Sequence, residues 1–188
     1  MVSLRIALLC LLSIVSSAET VADSPDPVLG ELLRAAANEA DSFADKFDAQ
    51  VWLTDMSARL SKTLKDPQER LDILRHVHYE ATRAELAPEL VLAVIDVESN
   101  FDRYAISVAG ARGLMQIMPF WLDEIGRPDD NLVHVGTNLR FGCTILKYYI
   151  DMEHGNLPRA LGRYNGSLGK RRYPNKVLDK LRLKWYRI

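Results

Sequence analysis

The stretch VLAVIDVESNF, residues 91–101, ends an apolar helical stripe with a glutamate. At 3.6 residues per turn, side chains three, four and seven positions apart share one face of a helix. The stripe comprises Val91, Val94, Ile95 and Glu98. A carboxylate in such a place is either a structural residue that pairs with Arg103 or Arg112, or a group whose chemistry is changed by burial.

Both the position and the neighbours of Glu98 favour its neutral form. The residue falls in the last turn of its helix, where the helix dipole is negative and disfavours a further negative charge. Its apolar neighbours cannot solvate a carboxylate, so we expect the pKa of Glu98 to be raised. A carboxylic acid that is protonated near neutral pH can donate a proton to the leaving oxygen of a glycosidic bond.

Three linked motifs follow in the chain and extend this interpretation. The motifs consist of Glu98-Ser99-Asn100-Phe101, then Ser107, Gly110-Ala111 and Gly113-Leu114-Met115-Gln116-Ile117-Met118-Pro119, and later Tyr164-Asn165. In their order and spacing these motifs closely resemble the soluble-type lytic transglycosylases, lysozyme-like enzymes that cut bacterial peptidoglycan. The resemblance covers roughly residues 86–170.

The resemblance implies that Glu98 is the single catalytic acid and base. It would protonate the oxygen of the β-1,4 bond between N-acetylmuramic acid and N-acetylglucosamine, and then accept a proton from the muramic 6-hydroxyl. Attack by that hydroxyl gives a 1,6-anhydro end. Two alternatives remain open: a muramidase of the same fold that uses water, and a catalytically idle peptidoglycan-binding scaffold.

The family also implies substrate-contacting roles for five further residues: Ser107, Gln116, Met118, Tyr164 and Asn165. The amide of Gln116 offers both a donor and an acceptor to an N-acetyl sugar, whereas Met118 fits core packing almost as well. The chain departs from many relatives in having RYNGSLG, residues 163–169, where AYNAG and a proline are usual. Phe120-Trp121 replaces small residues and predicts either a stacking wall for sugar or extra core.

A second catalytic carboxylate is not expected. Asp96 lies about 200° around the helix from Glu98 and so faces elsewhere. Asp102 lies in the adjoining loop, where an aspartate is typical of a turn. Substrate-assisted chemistry, in which the N-acetyl group of the sugar stabilises the anomeric centre, needs no second acid.

The hydrophobic pattern predicts an all-α fold, and the resemblance implies a lysozyme-like lobe with additional N-terminal helices. Helical spacing recurs between residues 28 and 65, and Asp66-Pro67 is typical of a helix start. Further helices are expected from Pro88 to about Ser99, from about Thr137 to Glu153, and briefly around residues 157–166. For the residues after 166 the sequence pattern predicts only a basic tail. We expect a leader and N-terminal helices over 19–84 and the transglycosylase domain over 85–188.

Residues 1–18 have the pattern of a secretory signal peptide. One early arginine precedes a short apolar run, and Ser16-Ser17-Ala18 offers a small-residue cleavage site. We therefore expect an exported, periplasmic protein, with an uncleaved membrane anchor as the alternative. Cleavage would leave Cys143 as the one cysteine, in an apolar context that predicts a buried hydrophobe rather than a nucleophile.

The remaining composition argues against several classes of protein. The four histidines, His76, His78, His134 and His154, have no metal-site spacing, and no phosphate-binding or dinucleotide motif is present, so we expect neither a metal nor a cofactor. From Arg159 onward Asp179 is the only acid. This basic C-terminal tail is either a solvated surface or a site of contact with a membrane or the cell wall. Nucleic acid is not expected, because regularly interleaved aromatics are missing. The sequence makes no prediction of oligomeric state.

Overall fold

The computed structural model describes residues 27–38 and 41–186, and the predicted signal peptide lies outside these ranges. The helices are α1 (Pro27–Asn38), α2 (Lys46–Leu60), α3 (Pro67–Arg83), α4 (Pro88–Glu98), α5 (Trp121–Ile125), α6 (Val135–Met152), α7 (Leu157–Tyr164), α8 (Arg172–Lys180) and a π-helical turn (Leu181–Trp185). Two isolated β-bridges, both through Arg112, are the only extended pairing in the described ranges. The prediction of an all-α fold is confirmed.

The start of α3 follows the pattern expected from its sequence. The side chain of Asp66 accepts a hydrogen bond from the backbone N–H of Gln68, and Pro67 occupies the first helical position. The predicted inner face of α3 is buried: Leu71, Leu74, Val77 and Ala81. On the other side of α3, α1 and α2 pack against it and against each other. The N-terminal helices are joined to the rest through α3 and also directly through α2, whose Trp52 donates to Glu89 of α4.

Helix α4 is the central helix of the fold. Every residue from 90 to 96 is buried, so the helix is covered on all sides rather than along one stripe. It packs against α3, α8 and the π-helical turn. Because a fully buried aliphatic side chain contributes about 1.5–3 kcal/mol, this helix is a major part of the hydrophobic core. Glu98 is its last residue and lies where the helix reaches the surface.

The chain is helical from Arg172 onward rather than only a basic tail. Its residues Tyr173, Val177, Leu181 and Trp185 are spaced by four and are buried. They form the inner face of α8 and the π-helical turn, which pack on α4. The ring of Trp185, 1% exposed, lies 5.6 Å from that of Phe101. The basic residues of the same segment lie between these positions, so its composition indicated a basic tail and not a buried helical face.

Two of these basic residues hold a buried carboxylate of α4. Lys180 Nζ lies 2.6 Å from Asp96 Oδ1 and Lys184 Nζ lies 2.7 Å from Asp96 Oδ2, while the Asp96 side chain is 1% exposed. Asp96 therefore faces the C-terminal segment and away from Glu98, as the helical geometry predicted. A buried charge is costly without partners, so this pairing fixes α8 on α4.

No helix within the described residues has the length and apolar character needed to cross a membrane.

Candidate active site

Glu98 lies between two cavities. The first, which we call the motif cavity, has a volume of about 260 Å³. Its lining includes all six residues that the sequence predicted for the site: Glu98, Ser107, Gln116, Met118, Tyr164 and Asn165. Trp121 also lines it, so one residue of the unusual Phe120-Trp121 pair forms part of the wall. Tyr164 and Asn165 are distant in sequence from the others, and the fold brings them to the same cavity.

A sharp turn directly after Glu98 closes the end of α4. Asn100 and Phe101 have φ values of 49° and 67°, in the left-handed region that non-glycine residues seldom occupy. Phe101 is fully buried and anchors the turn in the core. The hydroxyl of Ser99 donates to the carbonyl of Leu114, 2.8 Å away. These contacts fix the end of α4 relative to the GLMQIMP loop.

Gly113 meets a steric demand at the base of that loop. Its φ is 74°, and a Cβ there would lie 2.4 Å from Asn138 Nδ2 and 2.6 Å from the carbonyl oxygen of Leu132. Gly110 has a φ of 88° but open space around it, so only its backbone conformation requires glycine. Both glycines of the motif therefore have positive φ, and only Gly113 is also closely approached by its neighbours.

Asn138 of α6 holds the loop in place, and sequence reasoning missed it. Its side chain accepts from the N–H of Met115 and donates to the carbonyls of Arg112 and Leu132, all at 2.8–2.9 Å. The side chain is almost fully buried, so each polar atom needs such a partner. A single asparagine within an otherwise apolar helix face was the available signal.

The polar residues of the motif cavity are held by the loop backbone. Gln116 has a φ of 52°, and its amide nitrogen donates to the carbonyls of Ala105 and Gly113. Its amide oxygen has no partner among the described residues. The hydroxyl of Ser107 accepts from the N–H of Ala111. The hydroxyl of Tyr164 donates to the carbonyl of Met115, 2.8 Å away, so it supports the loop as well as lining the cavity.

The electrostatics of Glu98 agree with the sequence prediction. Burial raises the pKa of Glu98 from 4.5 to about 7, against the opposing effect of a hydrogen bond from Tyr173. Neither Arg103 nor Arg112 pairs with Glu98 in the described part of the chain, so the structural alternative is not supported. Near neutral pH about half of the molecules therefore carry the proton on this carboxyl group.

Tyr173 contacts Glu98 directly, and sequence reasoning did not identify it. Its hydroxyl donates to Glu98 Oε1 at 2.5 Å. Burial raises the pKa of Tyr173 well above its usual value, so the hydroxyl stays protonated and remains a donor. It is the one partner that the described residues give the Glu98 carboxyl group. With Oε1 accepting from Tyr173, the acidic proton belongs on Oε2.

Removing this hydroxyl tests its effect on Glu98. In Tyr173→Phe the pKa of Glu98 is expected to rise further, because a bond that favours the carboxylate is lost. The alkaline limb of a pH–rate profile should move to higher pH, and the maximal rate should fall about tenfold, as for loss of one hydrogen bond to a charged group. Tyr186→Phe, at an exposed position, is the matched control. An alkaline limb that coincides with that of wild type would contradict this role.

A second cavity, which we call the cationic cavity, lies on the other side of Glu98 and has a volume of about 310 Å³. Glu98, Asn165 and Tyr173 line it together with Val97, Ser167, Lys170, Arg172 and Lys176. Asn165 thus lines both cavities. Glu98 is the only carboxylate that the described residues contribute to either lining.

The other candidate groups are placed as follows. Cys143 is fully buried, which raises the pKa of its thiol, so the prediction of a buried hydrophobe is confirmed. Asp102 accepts from the N–H of Tyr104, as expected of a turn residue. His78 stacks on Phe43, and burial lowers its pKa to about 4. Within residues 27–38 and 41–186, no group of His, Cys, Asp and Glu side chains is arranged to hold a metal ion.

Comparison with known proteins assigns the chain to a family. Residues 76–182 match the model described as "Transglycosylase SLT domain". The chain belongs to the transglycosylase SLT domain family. The match begins within α3 and includes both cavities, α8 and the start of the π-helical turn. The resemblance inferred from the motifs is confirmed at the level of the family.

Relatives of this SLT-family chain share limited parts of their length with it. A transglycosylase of Enterobacteria phage PRD1 is 30% identical over 105 residues, which cover 52% of this chain and 38% of the phage protein. Membrane-bound lytic murein transglycosylase C of Actinobacillus pleuropneumoniae is 49% identical over 39 residues, 21% of this chain and 11% of that protein. The chain therefore spans well under two thirds of either curated relative. An inactive mutant of lytic transglycosylase Slt from Pseudomonas aeruginosa is 21% identical with a TM-score of 0.47, over 85% of this chain and 35% of that chain.

Proposed function

We propose that this SLT-family chain is a lytic transglycosylase of peptidoglycan. It cleaves the β-1,4 bond between N-acetylmuramic acid and N-acetylglucosamine and leaves a 1,6-anhydromuramic end. The observation that carries the proposal is Glu98 itself, a carboxyl group with a pKa of about 7 at the junction of two cavities and without a carboxylate beside it. Membership of the transglycosylase family supports the choice of substrate.

Glu98 acts first as an acid. Its proton passes to the oxygen that links the two sugars, and the bond from that oxygen to the anomeric carbon of the muramic residue breaks. The hydrogen bond from Tyr173 to Oε1 then stabilises the carboxylate that forms. Glu98 next accepts the proton of the muramic 6-hydroxyl, whose oxygen bonds to the anomeric carbon. Glu98 ends the cycle protonated, so one residue serves both steps.

The surroundings of Glu98 suit a mechanism with one carboxyl group. A retaining glycosidase holds its two carboxyl groups about 5 Å apart, and an inverting one holds them farther apart with a water between. Here Asp96 is engaged by Lys180 and Lys184, and Asp102 is engaged in its turn. The positive charge at the anomeric carbon is therefore left to the N-acetyl group of the substrate.

The motif cavity suits the N-acetyl sugar. Gln116 presents a free amide oxygen to an N–H or hydroxyl donor, and Asn165 adds a second amide at the boundary of the two cavities. Ser107 and Tyr164 bring hydroxyl groups, and Met118 and Trp121 bring apolar surface for the sugar ring. We assign substrate binding to Ser107, Gln116, Met118, Tyr164 and Asn165 on this basis.

The products of digestion test the reaction directly. Purified sacculi treated with the protein should release muropeptides with 1,6-anhydro ends, which mass spectrometry identifies because they are lighter by one water than hydrolysed ends. A muramidase would release only the heavier, reducing ends. An idle scaffold would bind sacculi and release nothing soluble. Either of these results would reject the proposed reaction.

We also propose that the protein works outside the cytoplasm, in the periplasm, with residues 1–18 as its signal peptide. The support is the sequence pattern of that segment, together with a substrate that lies in the cell wall. The intact mass of the exported protein distinguishes cleavage after Ala18 from a retained anchor.

A further inference from the structure

The cationic cavity differs from the motif cavity in charge. Three of its lining residues, Lys170, Arg172 and Lys176, carry positive charge and are exposed to solvent. The motif cavity is lined by neutral polar and apolar groups apart from Glu98. A glycan strand bound at Glu98 would therefore meet a cationic lining in one cavity and an uncharged lining in the other.

These three cations have no acidic partner within the described residues. Three other cations of the same segment are paired: Lys180 and Lys184 with Asp96, and Arg182 with Asp179. By contrast, no carboxylate of the described chain lies within ion-pair distance of Lys170, Arg172 or Lys176. Their charge is therefore available to an anion from outside the described chain.

An unsatisfied hydroxyl lies in the same lining. The side-chain oxygen of Ser167 is buried and has no hydrogen-bond partner. Buried polar atoms in folded proteins are nearly always paired, so an orphan beside an open cavity points to a ligand that supplies the missing bond. A hydroxyl can donate to a carboxylate oxygen while the neighbouring cations neutralise its charge.

We propose that the cationic cavity binds a carboxylate of the peptide stem that peptidoglycan carries on its muramic residue. The inference rests on the proposed function, because the stem branches from the sugar whose anomeric bond is cut and so lies close to Glu98. Lys170, Arg172 and Lys176 attract the stem carboxylate, and the hydroxyl of Ser167 donates to it. The chain therefore prefers glycan strands with charged stems over strands whose stems are neutral.

The test compares two substrates that differ only in stem charge. Peptide-bearing glycan strands are used untreated, or after the stem carboxylates have been converted to primary amides. For wild type, kcat/KM is expected to be about tenfold higher on the untreated strands, as for one hydrogen bond to a charged group. In the Lys170→Gln, Lys176→Gln double variant the ratio should fall to near one. The advantage of wild type should also shrink as salt is added.

Matched variants isolate the position of the charge. Lys62→Gln removes one positive charge at an exposed site after α2 and should keep the wild-type ratio, and the charge-retaining Lys170→Arg, Lys176→Arg variant should keep it as well. A wild-type ratio near one, or a double variant with the wild-type ratio, would overturn the stem-binding site while leaving the proposed function intact. Lack of cleavage of both substrates by wild type would instead reject the proposed function. Faster cleavage of the amidated strands than of the untreated ones would also overturn the stem-binding site.

Discussion

Glu98→Gln is expected to lower the rate of strand cleavage by about 10²–10⁴-fold, the usual contribution of general acid–base catalysis. Glutamine has nearly the same shape and can still accept a hydrogen bond from Tyr173, but its amide cannot supply a proton. Release of anhydro-muropeptides from sacculi, followed by mass spectrometry, gives the rate. Binding to sacculi should be retained, because the motif cavity is unchanged.

Glu89→Gln is the matched control, since Glu89 begins the same helix and its carboxylate accepts from Trp52 outside both cavities. It should retain cleavage. A Glu98→Gln protein that kept more than a tenth of the wild-type rate would show that another group supplies the proton.

Glu98→Gln should also be more stable to unfolding than wild type at alkaline pH. The pKa of Glu98 is 4.5 when unfolded and about 7 when folded, so folding is opposed increasingly as the pH rises from the lower value to the upper. Below pH 4.5 the carboxyl group is neutral in both states and has no such effect. Above pH 7 the penalty reaches about 3 kcal/mol, which Glu98→Gln removes. Denaturant unfolding of wild type and Glu98→Gln at pH 4 and pH 8 measures this difference in the free energy of unfolding.

The largest loss of stability is expected when both lysines that face Asp96 are removed. In the Lys180→Met, Lys184→Met variant a carboxylate that is 1% exposed is left without either cation. Breaking a buried ion pair on one side costs about 3–5 kcal/mol in the free energy of unfolding. Methionine keeps the length and apolar stem of lysine, so the change isolates the charge. Denaturant unfolding, followed by circular dichroism, measures the effect.

Two controls separate this ion pair from ordinary surface charge. Adding Asp96→Asn to the double variant removes the buried charge and should recover most of the loss. Arg182→Met breaks the exposed pair with Asp179 and should change the unfolding free energy by less than about 1 kcal/mol. If the lysine double variant were no less stable than Arg182→Met, Asp96 would not anchor the C-terminal segment.

The sequence pattern predicted those features that depend on residues close together in the chain. The cap at Asp66-Pro67 and the buried face of α3 follow from residues within one or two turns of each other. Glu98 was identified because its apolar neighbours lie on its own helix, and these neighbours contribute to the burial that raises its pKa. The family motifs named six residues, and the fold brings all six to one cavity.

The features that escaped prediction depend on contacts between distant segments. Tyr173 meets Glu98 across 75 positions of sequence, and Lys184 meets Asp96 across 88. Nothing in either local window specifies such a pair. The spacing of Tyr173, Val177, Leu181 and Trp185 did encode a buried helical face, but interleaved lysines and arginines gave the segment the composition of a basic tail. Asn138 escaped for the opposite reason, as a single polar residue within an apolar helix.

The central claim is that burial raises the pKa of Glu98 to about 7, so that much of the carboxyl group is still protonated near neutral pH, and its titration tests that claim most directly. Protein labelled with ¹³C at glutamate carboxyl groups is titrated by NMR, and the Glu98 signal is assigned by its absence in Glu98→Gln. A midpoint near pH 7 is expected, set by burial against the hydrogen bond from Tyr173. A midpoint near 4.5, the ordinary value for glutamate, would contradict the account.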